Sequence, residues 1–353
     1  MNLRRGWWIL GMVAACALLA AGPVVASEGY FSNADGELTS SDLVTYTAAG
    51  HGGPADPSLR TAGCCETGVI GYMEYLHMGA KRGGMDVAVI AGNPAPNVFT
   101  QNVLEAQYGR DSGFRVGLGY QFANCWDVTW NYTYFWTDGA TAVSTVPGDG
   151  NTVEPTQLLS LEDPVGMGNF AFRSTFRSHV SDLDFGRWIR LDDSASIRLF
   201  GGFRYAIIDQ SLEQLYAGVP VGQGVFQSGS SLTTQNMDAY GIRLGIEGRM
   251  NLPSGFSLFG RTAASVLAGH FDLSTAEAVV QNQAGAAPVV AVVTGNDSIT
   301  QAVPVLEAAV GVAWTYNHIE VSGGYEVNAW YNMAYDQNDL LLDGFFVRAA
   351  FTR

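Results

Sequence analysis

The chain has 353 residues, a formal net charge of −15 and 14% charged residues, against 47% hydrophobic residues and 43 glycines. A disordered protein would be rich in charge and poor in aromatic residues, and a nucleic-acid-binding protein would be basic, so both classes are excluded. Lys81 is the single lysine, and four cysteines are too few for a disulfide-rich scaffold of this length.

Residues 1–26 are predicted to be a signal peptide. Arg4 and Arg5 supply a positive start, residues 7–21 are uncharged and mostly apolar, and small residues suited to cleavage follow. A retained membrane anchor and lipoprotein processing at Cys16 are the alternatives, and the apolar residues after Cys16 argue against the second. The sequence therefore predicts an exported protein.

Residues 27–67 are polar and show no sustained periodicity, so we predict an irregular N-terminal periplasmic extension. Beyond residue 26, no apolar run reaches the ~18 residues that a transmembrane helix needs. An exported chain that is poor in charge and rich in aromatic residues is then either a secreted β-sandwich or a closed membrane barrel.

Residues 68–353 alternate between apolar and polar side chains, as β-strands with one apolar face do. The clearest hairpin turns at Asn317, and the phase slips within residues 171–190, which predicts a bulge near Ser181 and Asp182. The strongest alternating segments are residues 114–122, 126–136, 197–207, 240–250, 306–316 and 318–331.

The predicted connections alternate between short and long. Short links are expected at residues 123–125, 191–195, 251–255 and 317, and long links at 137–169, 211–236, 272–301 and 332–339. A membrane barrel has short periplasmic turns and long extracellular loops in that order, whereas a sandwich has no reason to keep it. We therefore predict an all-β, transmembrane, antiparallel up-and-down barrel over residues 68–353. It has about ten strands, or twelve if residues 85–91 and 98–107 add a pair.

Aromatic residues gather at the predicted strand ends, as expected of interface girdles. The predicted interface aromatics are Phe122, Trp126, Trp136, Trp314, Tyr316 and Tyr331. The last strand carries Phe345, Val347, Ala349 and Phe351 on one face. It resembles the C-terminal signal by which the barrel-assembly machinery recognises outer-membrane barrels. That signal ends in an aromatic residue, whereas here two residues follow Phe351.

The sequence resembles the pore-forming outer-membrane barrels related to the Legionella major outer membrane protein. The stretches that carry the resemblance are GFRVGLGYQF (113–122), WDVTWNYTYF (126–135), SIRLFGGFRYAIID (196–209), YGIRLGIEGRM (240–250) and PVLEAAVGVAWTY (304–316). The resemblance covers most of residues 68–353, and it implies an outer-membrane barrel that conducts solutes. It assigns no binding residue.

Because successive side chains of a strand point to opposite faces, the polar face of each predicted strand would place charged residues in the lumen of such a barrel. These are Arg115, Asp127, Arg173, Arg177, Arg198, Arg204, Arg243, Glu247, Arg249, Arg261, Glu307, Glu320, Glu326 and Arg348. Facing rows of opposite charge would select solutes by charge and size. Alternatively, these residues pair with one another and fill the lumen, because barrels near this size are at the limit of an open channel.

The remaining chemistry-bearing residues do not form a recognised site. His179, His270 and His318 could serve an enzyme with Ser178 or Ser265, but the sequence has no nucleophile elbow. Acidic residues in the predicted loops lack the spacing of a calcium site; they are Asp138, Asp149, Glu154, Glu162 and Asp163. We therefore expect no catalytic activity, metal or cofactor.

Three cysteines remain after signal cleavage. Cys64 and Cys65 precede the first strand, and Cys125 lies in a short turn on the same side of the barrel. We hypothesise a disulfide between Cys125 and one of the other two; three unpaired thiols or an intermolecular bond are the alternatives.

The sequence thus predicts an outer-membrane passive diffusion channel. The alternative is a non-conducting barrel that acts structurally or through its long loops, and a third class is a secreted sandwich or a lipid-hydrolysing barrel. The expected partners are outer-membrane lipid, the barrel-assembly machinery and small solutes or ions. Nucleic acid is not expected, and an oligomer is possible.

Overall fold

The computed structural model describes residues 67–83, 86–95, 98–105, 108–144, 151–155, 169–222, 225–283, 285–333 and 338–352. The predicted signal peptide, residues 27–66, Cys64 and Cys65 lie outside these ranges. No helix in the described part is long and apolar enough to cross a membrane.

Within the described ranges, ten antiparallel strands close into a barrel. In chain order the strands are β1 (Gly68–Arg82), β2 (Asp86–Ala95), β3 (Val98–Glu105), β4 (Arg110–Gln121), β5 (Trp126–Ser144), β6 (Asn151–Pro155), β7 (Asn169–Arg190), β8 (Ala195–Gly222), β9 (Val225–Asn251), β10 (Phe256–Gln283), β11 (Val289–Tyr316), β12 (Ile319–Trp330) and β13 (Leu340–Thr352). The ring runs β1-β4-β5-β7-β8-β9-β10-β11-β12-β13, and β13 pairs with β1 to close it. The expected pair at 85–91 and 98–107 forms as β2 and β3, but these strands join β6 in a separate sheet. The barrel therefore has ten strands and not twelve.

Large apolar side chains cover the outside of the barrel. Tyr240 is 69% exposed, and Phe203 and Leu244 are each 63% exposed. A sandwich would bury these rows between two sheets, so the closed ring and its apolar exterior exclude that alternative. This apolar band includes Phe114, Leu118, Trp130, Phe185, Leu199, Phe203, Ile242, Leu244, Val310, Val312, Phe345 and Val347.

Tight turns connect the strands at the periplasmic end of the barrel. In the β4–β5 turn the Phe122 amide donates to the Trp126 carbonyl at 2.8 Å, and Cys125 has φ 65°. Asn317 turns the β11–β12 hairpin with φ 54°. Asparagine tolerates this left-handed conformation better than most residues, which explains how a turn this short can form.

Two of the expected long loops are instead largely paired strand. Residues 211–222 and 225–236 belong to β8 and β9, with Ser211 opposite Thr234. Residues 272–283 and 289–301 belong to β10 and β11, with Asp272 opposite Ser298. Residues 137–144 of a third expected loop continue β5 and pair with β7. The prediction of loops there was wrong because the outer face of these strands meets water. Polar residues then occur on both faces, and the sequence no longer shows the alternation that identifies a strand.

The strands extend far beyond the membrane on one side of the ring. On β8, the outward side chains are apolar or glycine from residue 197 to 207, close to the roughly 9–11 residues that a tilted transmembrane strand needs. The next outward residue is Asp209, and β8 continues to Gly222. We call the parts of β7–β11 above the apolar band the extracellular wall; β12, β13, β1 and β4 are only 12–15 residues long.

Candidate functional site

The candidate site is the barrel interior. The interior charges are mostly those predicted from the alternation of side chains along the strands. All of the predicted lumen residues except Arg173 and Arg177 point into the barrel. Their side chains are largely withdrawn from solvent; Arg204 and Arg243, for example, are 2% and 4% exposed. Because a buried charge is costly unless it is paired, the partners of these groups decide what the lumen can do.

One cluster is built around Glu74. Its carboxylate accepts from Arg115 at 3.1 Å and from Arg348 at 3.2 Å. Arg115 also forms a two-pronged ion pair with Glu326, at 3.0 and 2.9 Å. Arg261 lies 3.7 Å from the same Glu326 carboxylate. These side chains come from β1, β4, β10, β12 and β13, so the cluster joins strands on both sides of the barrel closure.

The second cluster is built around Glu307. Arg204 and Arg243 each approach its carboxylate to 2.5 Å. Arg204 also donates to Asp182 at 2.6 and 2.8 Å, and Arg243 is 2.5 Å from Asp184. The Glu74 cluster has one more cation than anions, and the Glu307 cluster has one more anion than cations. Together they neutralise each other across the lumen.

A vestibule lies below the two clusters, at the periplasmic end. Its volume is about 260 Å³, and the turn residues Asn317 and His318 line its mouth. Arg198 donates to Asp127 at 2.9 Å, and Arg249 is 2.7 Å from Glu320. This part of the lumen is wide enough for water and small solutes and is lined by charge.

An apolar plug fills the lumen above the clusters. It comprises Leu76, Met78, Phe135, Phe176, Ile208, Met237, Leu267, Phe271, Val303, Trp330, Met333 and Leu340. At its border with the clusters the interior holds a cavity of only about 40 Å³, lined by both charged and plug residues. That is room for no more than a few water molecules, so the plug leaves no passage for a larger solute in this conformation.

A polar layer follows above the plug. Arg82 donates to Gln210 at 2.6 Å and to Gln235 at 3.3 Å. Tyr108, which precedes β4, packs edge-on against Phe176, with the two ring centroids 5.9 Å apart, and burial raises the pKa of Tyr108 to about 12. The tyrosine therefore stays neutral at physiological pH and adds no charge to this layer.

The prediction that Arg173 and Arg177 line the lumen was wrong. β7 pairs with β5 and β8 without a register shift, so the predicted bulge at Ser181 and Asp182 is absent. Even-numbered residues of this segment face inward, and both arginines face outward. The apparent phase slip has another cause: the upper part of β7 has an apolar inner face and a water-facing outer face, the reverse of its lower part.

Among the described residues, four buried interior acids were missed by the sequence analysis. One is Glu277 of β10, which is fully buried and accepts from the Tyr216 hydroxyl at 2.8 Å. Glu74 lies on β1, and its side chain is 0% exposed. Asp182 and Asp184 lie on β7, directly after the supposed bulge. Unbroken alternation along β7 was the signal that would have placed both aspartates inside.

The predicted interface aromatics lie at both ends of the apolar band. Phe122, Trp126, Trp314 and Tyr316 are exposed near the periplasmic turns, where Trp314 stacks on Tyr316 with 5.9 Å between ring centroids. Trp136 faces outward near the upper edge of the band, 37% exposed. Tyr331 follows β12 in the extracellular connection.

The residues considered for an enzyme are dispersed. His179 faces outward and lies 2.8 Å from the Tyr132 hydroxyl, whereas its neighbour Ser178 is buried on the inner face of β7. Ser265 is also buried inside the barrel, while His270 is half-exposed on the outer face and 3.0 Å from Thr300. The structure brings no predicted serine and histidine together.

The structure describes only some of the predicted cysteines and loop acids. Cys125 lies in the β4–β5 turn, and its proposed disulfide stays a prediction because both partner cysteines are outside the described residues. Among the predicted loop acids, Asp138 lies on β5 and Glu154 on β6. Asp149, Glu162 and Asp163 are outside the described ranges.

Comparison with known protein families decides the identity of the chain. The family model of the Legionella pneumophila major outer membrane protein precursor matches residues 74–351, which is nearly the whole barrel. The chain belongs to this family. It is therefore an outer-membrane β-barrel, as its resemblance to the Legionella-type barrels led us to expect.

Other comparisons are more distant. A sequence comparison with curated proteins gives no match. The outer membrane protease OmpT from Escherichia coli is 9% identical over 81% of this chain and 97% of its own, with a TM-score of 0.40. The P. putida toluene transporter TodX is 10% identical over 85% and 92%, with a TM-score of 0.30. The Yersinia pestis attachment protein Ail is 10% identical over 81% and 99%, with a TM-score of 0.25. At these scores no activity carries over to this chain.

Proposed function

We propose that this Legionella-type barrel is an outer-membrane channel for small solutes or ions with a hydrophobic gate. The observation that carries the proposal is the order of the lumen layers: a charged vestibule and two ion-pair clusters lie directly below the apolar plug. Hydrophobic constrictions close channels by excluding water, and rings of charge select the ions that pass.

The charged layers supply the selective part of this pathway. The vestibule is lined by cations such as Arg198 and Arg249 and by anions such as Glu247 and Glu320. A permeating ion would exchange water for these groups in turn, because both signs are present at each level. The clusters are neutral as a whole, so we expect weak selectivity between cations and anions.

The plug supplies the gate. Phe176 is 0% and Phe271 2% exposed, and both point into the lumen, from β7 and from β10, which is three strands further round the ring. Polar replacements would let water enter this layer. The channel therefore conducts when the plug is wetted or displaced, and the conformation described here is the closed one.

Single-channel conductance in planar bilayers tests this function. We expect rare, brief openings for the native protein and a several-fold higher open probability for the Phe176→Ser, Phe271→Ser double variant. Phe203→Ser is the matched control, because it makes the same substitution on the lipid-facing surface and leaves the lumen unchanged. Glu247→Lys should shift the reversal potential toward anions.

Silence of both the native protein and the double variant would overturn the channel proposal, provided that both show the heat-modifiable gel mobility of a folded barrel. Equal conductance in the double variant and the Phe203→Ser control would remove the plug as the gate.

The second candidate function is a non-conducting barrel that acts at the cell surface. The length of the extracellular wall favours it, since β8–β11 continue well above the apolar band. At the tip of this wall Val289, Val290 and Val292 are each more than 60% exposed. Bilayer silence of the plug variants would favour this function.

A further inference from the structure

The outer face of the barrel carries its first charged residues just above the apolar band, and their sign differs between strands. On β1, β4 and β7 these residues are the cations Lys81, Arg110 and Arg177. On β8 and β9 they are Asp209 and Asp238. Asp343 of β13 and Asp138 of β5 also lie on the outer face at this level, so Lys81 and Arg110 form the one pair of cations on adjacent strands there in the described barrel.

The cations on β1 and β4 converge on one carboxylate. Arg110 lies 3.0 Å and Lys81 3.5 Å from Asp343 of β13, which also accepts from the Tyr325 hydroxyl. Asp343 itself is 6% exposed, whereas the Lys81 and Arg110 side chains are 69% and 44% exposed. The carboxylate orients the two cations and leaves them open to the surrounding membrane.

The opening between these cations is kept by glycine. Gly79 stands between Asp343 and Arg110 in the strand register, and an added Cβ would come within 3.3 Å of the Arg110 side chain. Arg110 therefore lies flat across β1 toward Asp343, next to Lys81.

Two further arginines lie on the outer face of β7. Arg173 is 62% exposed and 4.0 Å from Asp138 of β5. Arg177 faces outward opposite Trp136, an aromatic residue of the upper interface. We call Lys81 and Arg110 the basic arc; they exceed their shared acid, Asp343, by one charge, whereas Arg173 and Arg177 stand directly opposite Glu213 and Asp209 of β8.

We propose that the basic arc binds the phosphorylated headgroup of an anionic glycolipid in the outer leaflet. The depth fits, because the arc begins where the lipid-facing apolar side chains end and interface aromatics stand. The charge also fits, since exposed arginine and lysine at a membrane surface attract anionic headgroups and arginine pairs well with phosphate. The aspartates on β8 and β9 would repel the same headgroup, so the lipid is held at one position around the barrel.

Lipid binding to the purified protein tests this proposal, with bis-phosphorylated lipid A as the probe and native mass spectrometry as the readout. The Lys81→Gln, Arg110→Gln variant should bind it roughly 30-fold more weakly, since each basic residue near a membrane surface contributes about 1 kcal/mol. The matched control is Arg187→Gln, Arg190→Gln, which removes two charges at the periplasmic end of β7. That control should stay within about twofold of the native protein.

Three results would overturn the proposal. One is equal weakening in the two double variants, and another is equal binding of dephosphorylated lipid A by the native protein. The third is displacement of the lipid by millimolar inorganic phosphate, which would make the arc a site for free anions. If the double variant does not fold, the single variants Lys81→Gln and Arg110→Gln and the dephosphorylated probe still decide the question.

Discussion

Replacing Arg243 tests whether the lumen is packed or filled with water. Its guanidinium is 2.5 Å from both Asp184 and Glu307, and its side chain is 4% exposed. In Arg243→Gln, three carboxylates of the Glu307 cluster would share the single cation Arg204. Removing one partner of a buried ion pair leaves an uncompensated charge and costs about 3–5 kcal/mol.

Glu307→Gln is the informative comparison. It leaves two arginines with two aspartates, a balanced set, so we expect a loss of only about 1–2 kcal/mol from the weakened hydrogen bonds. The double variant Arg243→Gln, Glu307→Gln again has one carboxylate in excess, as the native cluster does. Its destabilisation should fall short of the sum of the single losses by about 0.5–3 kcal/mol.

Urea unfolding in lipid vesicles, followed by tryptophan fluorescence, measures these free energies. An Arg243→Gln barrel within about 1 kcal/mol of the native protein would refute the reasoning, because only ion pairs screened by water are that weak. Such a result would also mean that the lumen is hydrated at the level of the Glu307 cluster and that the plug does not seal it.

Three further predictions use the same unfolding assay. Leu244→Lys should cost about 2–4 kcal/mol because this side chain faces lipid, whereas Leu215→Lys should cost under about 0.5 kcal/mol because the wall stands in water; equal losses would contradict the placement of the band. Phe271→Ala should cost about 3–5 kcal/mol through the cavity that it leaves in the plug, and a loss under about 1 kcal/mol would show a loosely packed plug. The pKa of Asp192 is lowered by hydrogen bonds from the backbone and hydroxyl of Ser194 and the Ala195 amide. Its contribution is therefore complete above the unfolded pKa and disappears as pH falls through the folded pKa, so Asp192→Asn should lose less stability than the native protein on acidification; parallel curves would remove the turn as the cause.

The sequence was sufficient to predict the fold because lipid and water demand opposite side chains on the two faces of one strand. On β9, Ile242 and Leu244 face lipid while Arg243 points into the lumen. Any register error of one residue would expose that arginine to acyl chains, so alternation alone identifies both faces. The pairing of these charges could not be predicted, because Glu74 and Glu307 meet arginines from strands that are distant in the sequence.

The rule that apolar side chains face outward failed where the strands leave the membrane. On β8 the outward side chains change from Ile207 to Asp209 as lipid gives way to water, and the inward side chains change from Arg204 to Ile208 over the same rungs. The neighbouring strand follows, with Tyr240 and Asp238 outside and Met237 inside. A sequence window that spans this level therefore looks like a phase slip, although the backbone register is continuous.

This inversion also explains why the lumen is closed where it is. A β-structure surrounded by water is stabilised by burying an apolar inner face, and the extracellular wall has only the barrel interior in which to bury one. The plug residues on β7–β11, among them Phe176, Ile208 and Phe271, form the lower part of the hydrophobic core of the wall, directly above a polar lumen. A gate at this level is therefore coupled to the stability of the wall: substitutions that open the channel should also loosen β8–β11. The Phe176→Ser, Phe271→Ser variant should accordingly show faster amide hydrogen exchange in the wall, with the exchange of the lipid-facing band unchanged.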